Sequence, residues 1–184
     1  MQGNKIEKVA IYIDGSNFYH YTKEVGFAKG EKFNFKQFVD WLVGERTCVL
    51  KRYYTGIFRN IDGSSKSQDL VKGQQKFLAN MENDDFKIER GRIMYDGGRI
   101  REKGTDVKIA IDLVIGAVDN VYDSAILVSS DTDLIPAIRY VNEKKNKKVE
   151  YVGFSHAPSL GIQKYANFSK LLSKTDLENF KEVS

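Results

Sequence analysis

The chain is poor in the residues that build disulfides and soft-metal sites, because its 184 residues include one cysteine and two histidines. The single Cys48 cannot form an internal disulfide or a cysteine-built zinc site, and it is typical of a protein of the reducing cytoplasm. Neither His20 nor His156 has a partner at zinc-ligand spacing. These scarcities argue against zinc and leave the 25 acidic residues as candidate metal ligands.

Long apolar segments are also absent. No apolar run approaches the ~20 residues that cross a bilayer, and the polar start MQGNKIEK is unlike a signal peptide, so we expect a cytoplasmic protein without a membrane span. The chain is 41% hydrophobic and 29% charged, an ordinary globular balance, and its net charge of +4 is compatible with a polyanionic partner. We expect one domain over residues 1–184, with residues 158–184 as a C-terminal extension packed on it.

The sequence does contain a regular alternation of strand-like and helix-like stretches. Continuous apolar runs predict buried strands, and apolar residues at helical spacing predict helices. FKIERGRIMYDGGRIREKG predicts a hairpin turning at residues 96–98, and Thr175 with Glu178 predicts a capping box. Strands are expected over 8–14, 49–58, 124–130 and 148–154, and helices over 35–43, 69–83 and 105–120, the last apolar nearly all round and therefore buried. This pattern predicts an α/β fold with a mostly parallel central sheet and helices on both faces.

Acidic residues stand where two of the predicted strands end. Asp14 closes AIYID, and Asp131 and Asp133 follow AILVSS. Because ligands of parallel sheets lie beyond the carboxyl ends of the strands, these acids are expected at one edge. Asp106 can reach the same edge from the N-terminus of the helix that follows it.

Each acid also has a purely structural explanation. Asp14 can accept hydrogen bonds from its own turn. The negative charge of Asp106 at a helix N-terminus interacts favourably with the helix dipole. Asp112 lies four residues after Lys108 and can pair with it. A proline three residues after Asp133 must fall in the first turn of its helix, which places Asp133 at or beside the N-cap.

Together, the acids at this edge predict a cation. Two carboxylates ~4 Å apart repel by about 4 kcal/mol at an effective dielectric near 20, so a cluster must take up protons or hold a positive ion. With oxygen ligands only, the expected ion is Mg²⁺ or Mn²⁺, which generates a nucleophile from water and stabilises charge on a phosphate. Asn17, Ser129 and Ser130 are placed to assist, although serine at a strand end is common turn chemistry.

Basic residues precede the Asp106 motif in a regular pattern. Residues two apart on an extended strand point to one face, so ERGRIMYDGGRIREKG predicts a basic ridge that can track a phosphodiester backbone toward the metal. Tyr53, Tyr54 and Tyr95 are candidates for base stacking, although aromatic residues on strands more often belong to the core. The predicted RNA-binding residues are Arg90, Arg92, Arg99, Arg101 and Lys103.

Three motifs, in this order and at this spacing, resemble a known family. IDGSNFY, KGTDVKIAIDL and AILVSSDTDLIPAI are similar to NYN domains of the LabA/DUF88 group, relatives of the PIN-domain nucleases, over roughly residues 8–170. The resemblance implies a PIN-like three-layer α/β/α sandwich and a metal-dependent ribonuclease. Ser130 stands where many relatives have glycine, and Leu134 where an aromatic residue is usual. By motif, the implied metal-binding and catalytic acids are Asp14, Asp106, Asp131 and Asp133, with Asn17 as their polar companion and Asp112 and Ser129 as supporting residues.

Several functions remain open at this point. The first is an Mg²⁺- or Mn²⁺-dependent endoribonuclease, in which water attacks a phosphodiester of single-stranded RNA in line. The second is a non-catalytic RNA-binding or regulatory module that keeps the acidic site. A phosphatase of the haloacid-dehalogenase type is more remote, because it needs Asp-x-Asp on the first strand and Tyr12 stands two residues before Asp14. A dinucleotide enzyme is weaker still, because no G-x-G-x-x-G follows that strand. A homo-oligomer is compatible with the sequence, which does not determine it.

Overall fold

The structure is a computed structural model that describes residues 6–26, 33–57, 64–96 and 99–182. Within these ranges, residues 66, 92–96 and 99–103 are described by their backbone only. No helix in the described part of the chain is long and apolar enough to cross a membrane.

Six strands form one sheet, and all of its neighbouring pairs are parallel. The strands of this sheet are β1 (Lys8–Asp14), β2 (Thr47–Thr55), β3 (Lys87–Arg90), β6 (Ser124–Val128), β7 (Lys148–Phe154) and β8 (Phe168–Leu172). Two further strands, β4 (Arg92–Asp96) and β5 (Arg99–Lys103), form a separate antiparallel pair. Across the main sheet the order is β3-β2-β1-β6-β7-β8.

This order contains one reversal, between β1 and β6. The chain moves outward from β1 to β3, then returns to place β6 beside β1 and moves outward again to β8. The connections that leave β1 and β6 pack on opposite faces of the sheet. Such a switch point leaves a crevice beyond the carboxyl ends of the two strands, where ligands of open α/β sheets bind.

Helices cover both faces of the sheet. One face carries α1 (Gly15–Glu24), α2 (Phe35–Val43), α3 (Ser65–Asn83) and α7 (Lys174–Glu178); the other carries α4 (Thr105–Val118), α5 (Ile135–Lys145) and α6 (Leu160–Tyr165). Many of these helices begin at a polar residue whose side chain accepts a hydrogen bond from a free backbone N–H of the first turn. These caps are Asp14, Asn34, Ser64, Ser159 and Ser173.

The core consists of two apolar layers, one on each side of the sheet. In β1 the residues alternate between them, because Val9, Ile11 and Ile13 face one layer and Ala10 and Tyr12 the other. All five are fully buried, which explains why this strand reads as a continuous apolar run. The predicted three-layer α/β/α sandwich is confirmed.

The predicted hairpin is confirmed in part. Its first segment, β3, joins the main sheet as a parallel neighbour of β2, and the N–H of Gly91 still donates to the carbonyl of Thr55 at 3.0 Å. Only β4 and β5 pair with each other, and residues 97–98 of the turn predicted at 96–98 lie outside the described residues. Local alternation does not reveal that a strand pairs with a partner more than thirty residues away.

Two expectations about helices were wrong. Helix α4 is not buried all round: Ile109 and Leu113 are fully buried, whereas Val107 and Ile111 are 56% and 51% exposed. The C-terminal capping box is formed by Ser173 and Asp176, two residues before the predicted pair. Within the segment 158–184, which we expect to pack on the domain as a C-terminal extension, Phe168–Leu172 forms strand β8 of the central sheet.

Candidate metal centre

The candidate site lies at the carboxyl ends of β1 and β6, beside the reversal in strand order. β1 ends at Asp14, and β6 ends at Val128 and runs into Ser129 and Ser130. A 3-10 turn over Thr132–Leu134 then connects β6 to α5. Because β1 and β6 are parallel neighbours, the acids that follow them lie at the same edge of the sheet.

Three carboxylates converge at this edge. Asp106 lies in the first turn of α4, Asp131 caps the 3-10 turn, and Asp133 lies within that turn. One oxygen of each carboxylate lies within 4.8 Å of the others. Asp131 Oδ1 accepts a hydrogen bond from the N–H of Asp133 at 2.9 Å, so the turn fixes the relative position of these two residues.

The three charges repel one another. At 4.8 Å, one pair of carboxylates repels by about 1 kcal/mol in water and about 3.5 kcal/mol at an effective dielectric near 20. Asp133 is exposed and Asp106 and Asp131 are half-buried, so solvent screens this repulsion only in part. A cation held between the three oxygens would turn this repulsion into attraction.

Asp14 is near this cluster but does not belong to it. It is 8% exposed, and its Oδ1 accepts from the N–H of Asn17 at 3.0 Å as the N-cap of α1. Its Oδ2 accepts from Ser129 Oγ at 3.2 Å, and the same hydroxyl accepts from the N–H of Asp131 at 3.2 Å. Ser129, which is fully buried, therefore connects Asp14 to Asp131 of the cluster.

Asn17 holds the loop after β6. Its Oδ1 accepts from the N–H of Ser130 at 3.0 Å, which ties the first turn of α1 to the residue before Asp131. Sequence analysis missed a second support: the hydroxyls of Ser130 and Tyr151 lie 2.9 Å apart, and Tyr151 OH also accepts from the N–H of Ser159. The available signal was that a tyrosine in a buried strand needs a polar partner for its hydroxyl.

Gly15 allows α1 to begin at the residue immediately after Asp14. A Cβ at this position would lie 2.4 Å from the ring of Tyr53. Only glycine therefore lets the helix start this close to β2 without displacing a buried ring.

Asp112 lies away from the three-carboxylate cluster. Its Oδ2 accepts from Tyr54 OH at 2.9 Å and lies 2.5 Å from Arg52 Nη1. The expected pairing with Lys108 is wrong, because Lys108 Nζ instead lies 2.5 Å from Glu89 Oε2. The neighbouring strand β3 supplies the competing carboxylate, which the sequence spacing along α4 does not reveal.

Of the residues in the predicted basic ridge, Arg90 is the one whose side chain is described. Arg90 and Arg92 do not share a strand, because Arg90 belongs to β3 and Arg92 to β4, and Arg90 lies 3.9 Å from Glu82 of α3. The side chains of the other predicted RNA-binding residues, Arg92, Arg99, Arg101 and Lys103, lie outside the described residues. In the backbone register, Arg92 is opposite Lys103 and Asp96 is opposite Arg99.

Of the three candidates for base stacking, Tyr53 and Tyr54 belong to the core, at 6% and 0% exposed, so neither is available to stack on a base. The side chain of Tyr95 lies outside the described residues.

The two histidines, distant in sequence, meet at one carboxylate: the Nε2 atoms of His20 and His156 each lie 3.1 Å from an oxygen of Glu24. Sequence spacing alone did not indicate this contact.

The chemistry of the acidic cluster fits a hard divalent ion. Its donors are all carboxylate oxygens, which suit Mg²⁺ or Mn²⁺ and not a soft metal. Adjacent ligands of an octahedral ion at 2.0–2.1 Å lie roughly 3 Å apart and opposite ligands roughly 4 Å apart. The oxygens of Asp106, Asp131 and Asp133, all within 4.8 Å of one another, would have to draw closer around such an ion to reach these separations.

Comparison with known proteins agrees with the fold. A crystal structure of a protein of unknown function from Vibrio parahaemolyticus RIMD 2210633 is similar, with a TM-score of 0.73 and 25% identity, covering 99% of this chain and 100% of that chain. No curated protein matches the chain. The sequence profile of the NYN domain matches residues 8–172. NYN domains belong to the PIN-like nuclease superfamily, whose members typically use divalent metals. Because this match covers most of its length, the chain belongs to the NYN domain family.

Proposed function

We propose that this protein is a metal-dependent ribonuclease that hydrolyses RNA phosphodiesters at the carboxyl edge of β1 and β6. The observation that carries the proposal is the convergence of Asp106, Asp131 and Asp133 within 4.8 Å, at the sheet edge where α/β folds bind ligands. Membership of the NYN family, which indicates a nucleic-acid substrate, supports it. The proposal includes placement in the LabA/DUF88 group.

The three carboxylates would hold Mg²⁺ or Mn²⁺. When bound, such an ion lowers the pKa of water and stabilises negative charge on a phosphate in transfer. The roles of the neighbouring residues follow from their contacts. Ser129 and Asn17 hold the loop that carries Asp131, and Asp14 adds a fourth negative charge behind that loop.

The RNA would approach along the β4–β5 pair. Strand β5 ends at Lys103, three residues before Asp106, so the basic strand leads directly to the acidic cluster. The positive charges of Arg99, Arg101 and Lys103 would neutralise phosphates irrespective of base sequence. A single strand is the proposed substrate, because the flexible backbone of unpaired RNA can bend into an acidic crevice that a rigid duplex would have to enter broadside.

Cleavage of end-labelled single-stranded RNA tests this proposal. Asp131→Asn keeps the capping oxygen of the 3-10 turn and Asp14→Asn keeps that of α1, because asparagine caps as well as aspartate. Each change removes one charge from the site with little effect on folding, and so does Asp106→Asn. We expect all three variants to lose cleavage in Mg²⁺ or Mn²⁺, with unchanged thermal unfolding.

Asp119→Asn is the matched control. Asp119 is exposed and lies at the opposite end of α4 from Asp106, so the same change of charge on the same helix should leave cleavage intact. Cleavage that persists in the purified Asp106→Asn or Asp131→Asn variant would refute the proposal. RNA binding with a strong salt dependence, but no turnover with either metal, would identify a non-catalytic RNA-binding module instead.

A further inference from the structure

Helix α4 is held by the hydroxyls of three tyrosines, two in the sheet and one in the loop before β6. Tyr12 OH donates to the carbonyl of Asp112 at 3.4 Å, and Tyr54 OH donates to its carboxylate at 2.9 Å. Tyr122 OH donates to the carbonyl of Leu113 at 2.7 Å. All three tyrosines are fully buried and packed ring against ring, with Tyr12 6.5 Å from Tyr54 and 6.1 Å from Tyr122 between ring centroids. They form a rigid platform beneath the middle of α4.

A network of charges holds the same helix from the side. Arg52 of β2 lies between Asp112 of α4, at 2.5 Å, and Glu89 of β3, at 3.0 Å. Glu89 also contacts Lys108 of α4 at 2.5 Å and Lys87 at 3.0 Å. Strands β2 and β3 are thereby linked to α4 at two points, one turn of helix apart.

The titration of Glu89 agrees with this arrangement. Burial raises the pKa of Glu89, but the hydrogen bonds and charges of Lys108 and Lys87 outweigh burial and hold the pKa below its ordinary value. Glu89 is therefore ionised at neutral pH although its side chain is only 7% exposed. The network contains two carboxylates and three cationic groups, each in contact with at least one group of opposite charge.

The network does not itself bind the metal in the proposed site. Asp112 lies six residues after Asp106, about 9 Å further along the helix axis, and its carboxylate is engaged by Tyr54 and Arg52. A partly buried ion network of this kind adds little net stability relative to an apolar replacement, because the cost of removing charges from water offsets their attraction, although removing one partner alone is destabilising. What it determines is where α4 lies relative to the sheet.

We propose that Asp112, Arg52 and Tyr54 are positioning residues that set the distance of Asp106 from Asp131 and Asp133. Asp106 belongs to α4, whereas Asp131 and Asp133 belong to the loop after β6, so their separation depends on how the helix sits on the sheet. This inference rests on the proposed metal-dependent function. It assigns to Asp112 an indirect part in binding the ion, carried through the helix.

Manganese titration by calorimetry tests the inference with the metal alone as the probe. We expect Asp112→Asn and Tyr54→Phe each to weaken Mn²⁺ binding about tenfold, the lower range for residues that orient metal ligands. In an Asp106→Asn background, where the positioned ligand is gone, either change should weaken Mn²⁺ binding by less than about twofold. Equal losses in the two backgrounds would overturn the inference, since they would show an effect that does not pass through Asp106.

Glu150→Gln is the matched control. It breaks a half-buried ion pair between Glu150 and Arg46 at the opposite edge of the sheet, where the strands begin. Its effect on unfolding should resemble that of Asp112→Asn, but its Mn²⁺ affinity should equal that of the native chain.

Hydrogen exchange without metal separates failure of the inference from failure of the proposed function. We expect amides in the first two turns of α4 to exchange about tenfold faster in Asp112→Asn, because one hydrogen-bonded charge contact is lost. Unchanged exchange would overturn the positioning role even if the native chain binds Mn²⁺. If the native chain binds no Mn²⁺, the proposed function fails together with the metal part of this inference, and the exchange result alone decides whether the network holds α4.

Discussion

Gly116 offers the sharpest test of how closely α4 packs on the sheet. A Cβ added there would lie 2.7 Å from Tyr12 OH and 2.7 Å from Cε1 of the Tyr122 ring. Both tyrosines are fully buried and their hydroxyls are hydrogen-bonded to α4, so neither ring can move aside freely. The Gly116→Ala variant must shift the helix, the rings or both.

Gly73 supplies a control with the same chemical change. It lies in the middle of α3, and a Cβ built there meets no atom within 4 Å. Glycine to alanine inside a helix gains about 1 kcal/mol from helix propensity, and this gain applies to both positions. Overpacking a well-filled core costs about 1–3 kcal/mol and applies at Gly116 only. The difference between the two variants therefore isolates the packing cost.

Thermal and urea unfolding measure both variants. We expect Gly73→Ala to raise Tm by about 2–4 °C, and Gly116→Ala to lower it by a similar amount, because 1 kcal/mol corresponds to about 2–4 °C in a chain of this size. The reasoning is refuted if Gly116→Ala stabilises the protein as Gly73→Ala does. That result would mean that α4 lies further from the tyrosine platform than the structure has it.

Two pH-dependent predictions follow from the same region. Because the pKa of Glu89 is lowered in the folded state, its contribution to stability is present above the ordinary glutamate pKa of about 4.3 and is lost as the pH falls further. Urea unfolding should therefore show a gap between the native chain and Glu89→Gln that narrows below about pH 4, and a constant gap would contradict the assignment. Burial raises the pKa of Tyr12, Tyr54 and Tyr122, so these tyrosines keep their protons in the folded state. Stability should fall above about pH 10, less steeply in Tyr54→Phe than in the native chain, and identical slopes would count against this origin of the effect.

Much of the fold could be predicted from the sequence, because the local signals agree with the tertiary structure. The apolar run at residues 8–14 and the helical spacing at residues 35–43 coincide with β1 and α2. Boundaries were less accurate where a cap decides them. Helix α3 begins at Ser65, four residues before the predicted start, because Ser64 accepts a hydrogen bond from the N–H of Ser67.

Elements whose partners are distant in sequence could not be placed in this way. β3 looks like half of a hairpin because a second strand follows it at once, yet it pairs with β2 across the whole length of α3. The same limitation applies to α4. Its outer positions are as apolar as its inner ones, and the sequence pattern does not show that the helix has only one covered side.

The candidate site, like the fold, could be predicted from the sequence only in part. The topology of a parallel sheet is enough to bring the acids after β1 and β6 to one edge, and that inference needs only strand order. It does not say which oxygens point at one another. Asp14 caps α1 and accepts a hydrogen bond from Ser129, so Ser129 separates it from the cluster. Asp112 pairs with Arg52 and not with Lys108. Both outcomes depend on side chains from elements that are distant in sequence, the loop after β6 for Asp14 and strand β2 for Asp112.

The position of Asp106 connects the core of this protein to its proposed chemistry. Asp131 and Asp133 are fixed to each other by a local turn, but Asp106 reaches them from a helix that packs on the sheet through buried hydroxyls and charges. A small change in that packing, such as the methyl group of Gly116→Ala, would move a carboxylate that is ten residues away in sequence. Loss of Mn²⁺ affinity in Gly116→Ala but not in Gly73→Ala would show this dependence without changing any polar residue of the site. Equal affinities in the two variants would mean that the first turn of α4 is held at the site independently of the platform beneath its middle.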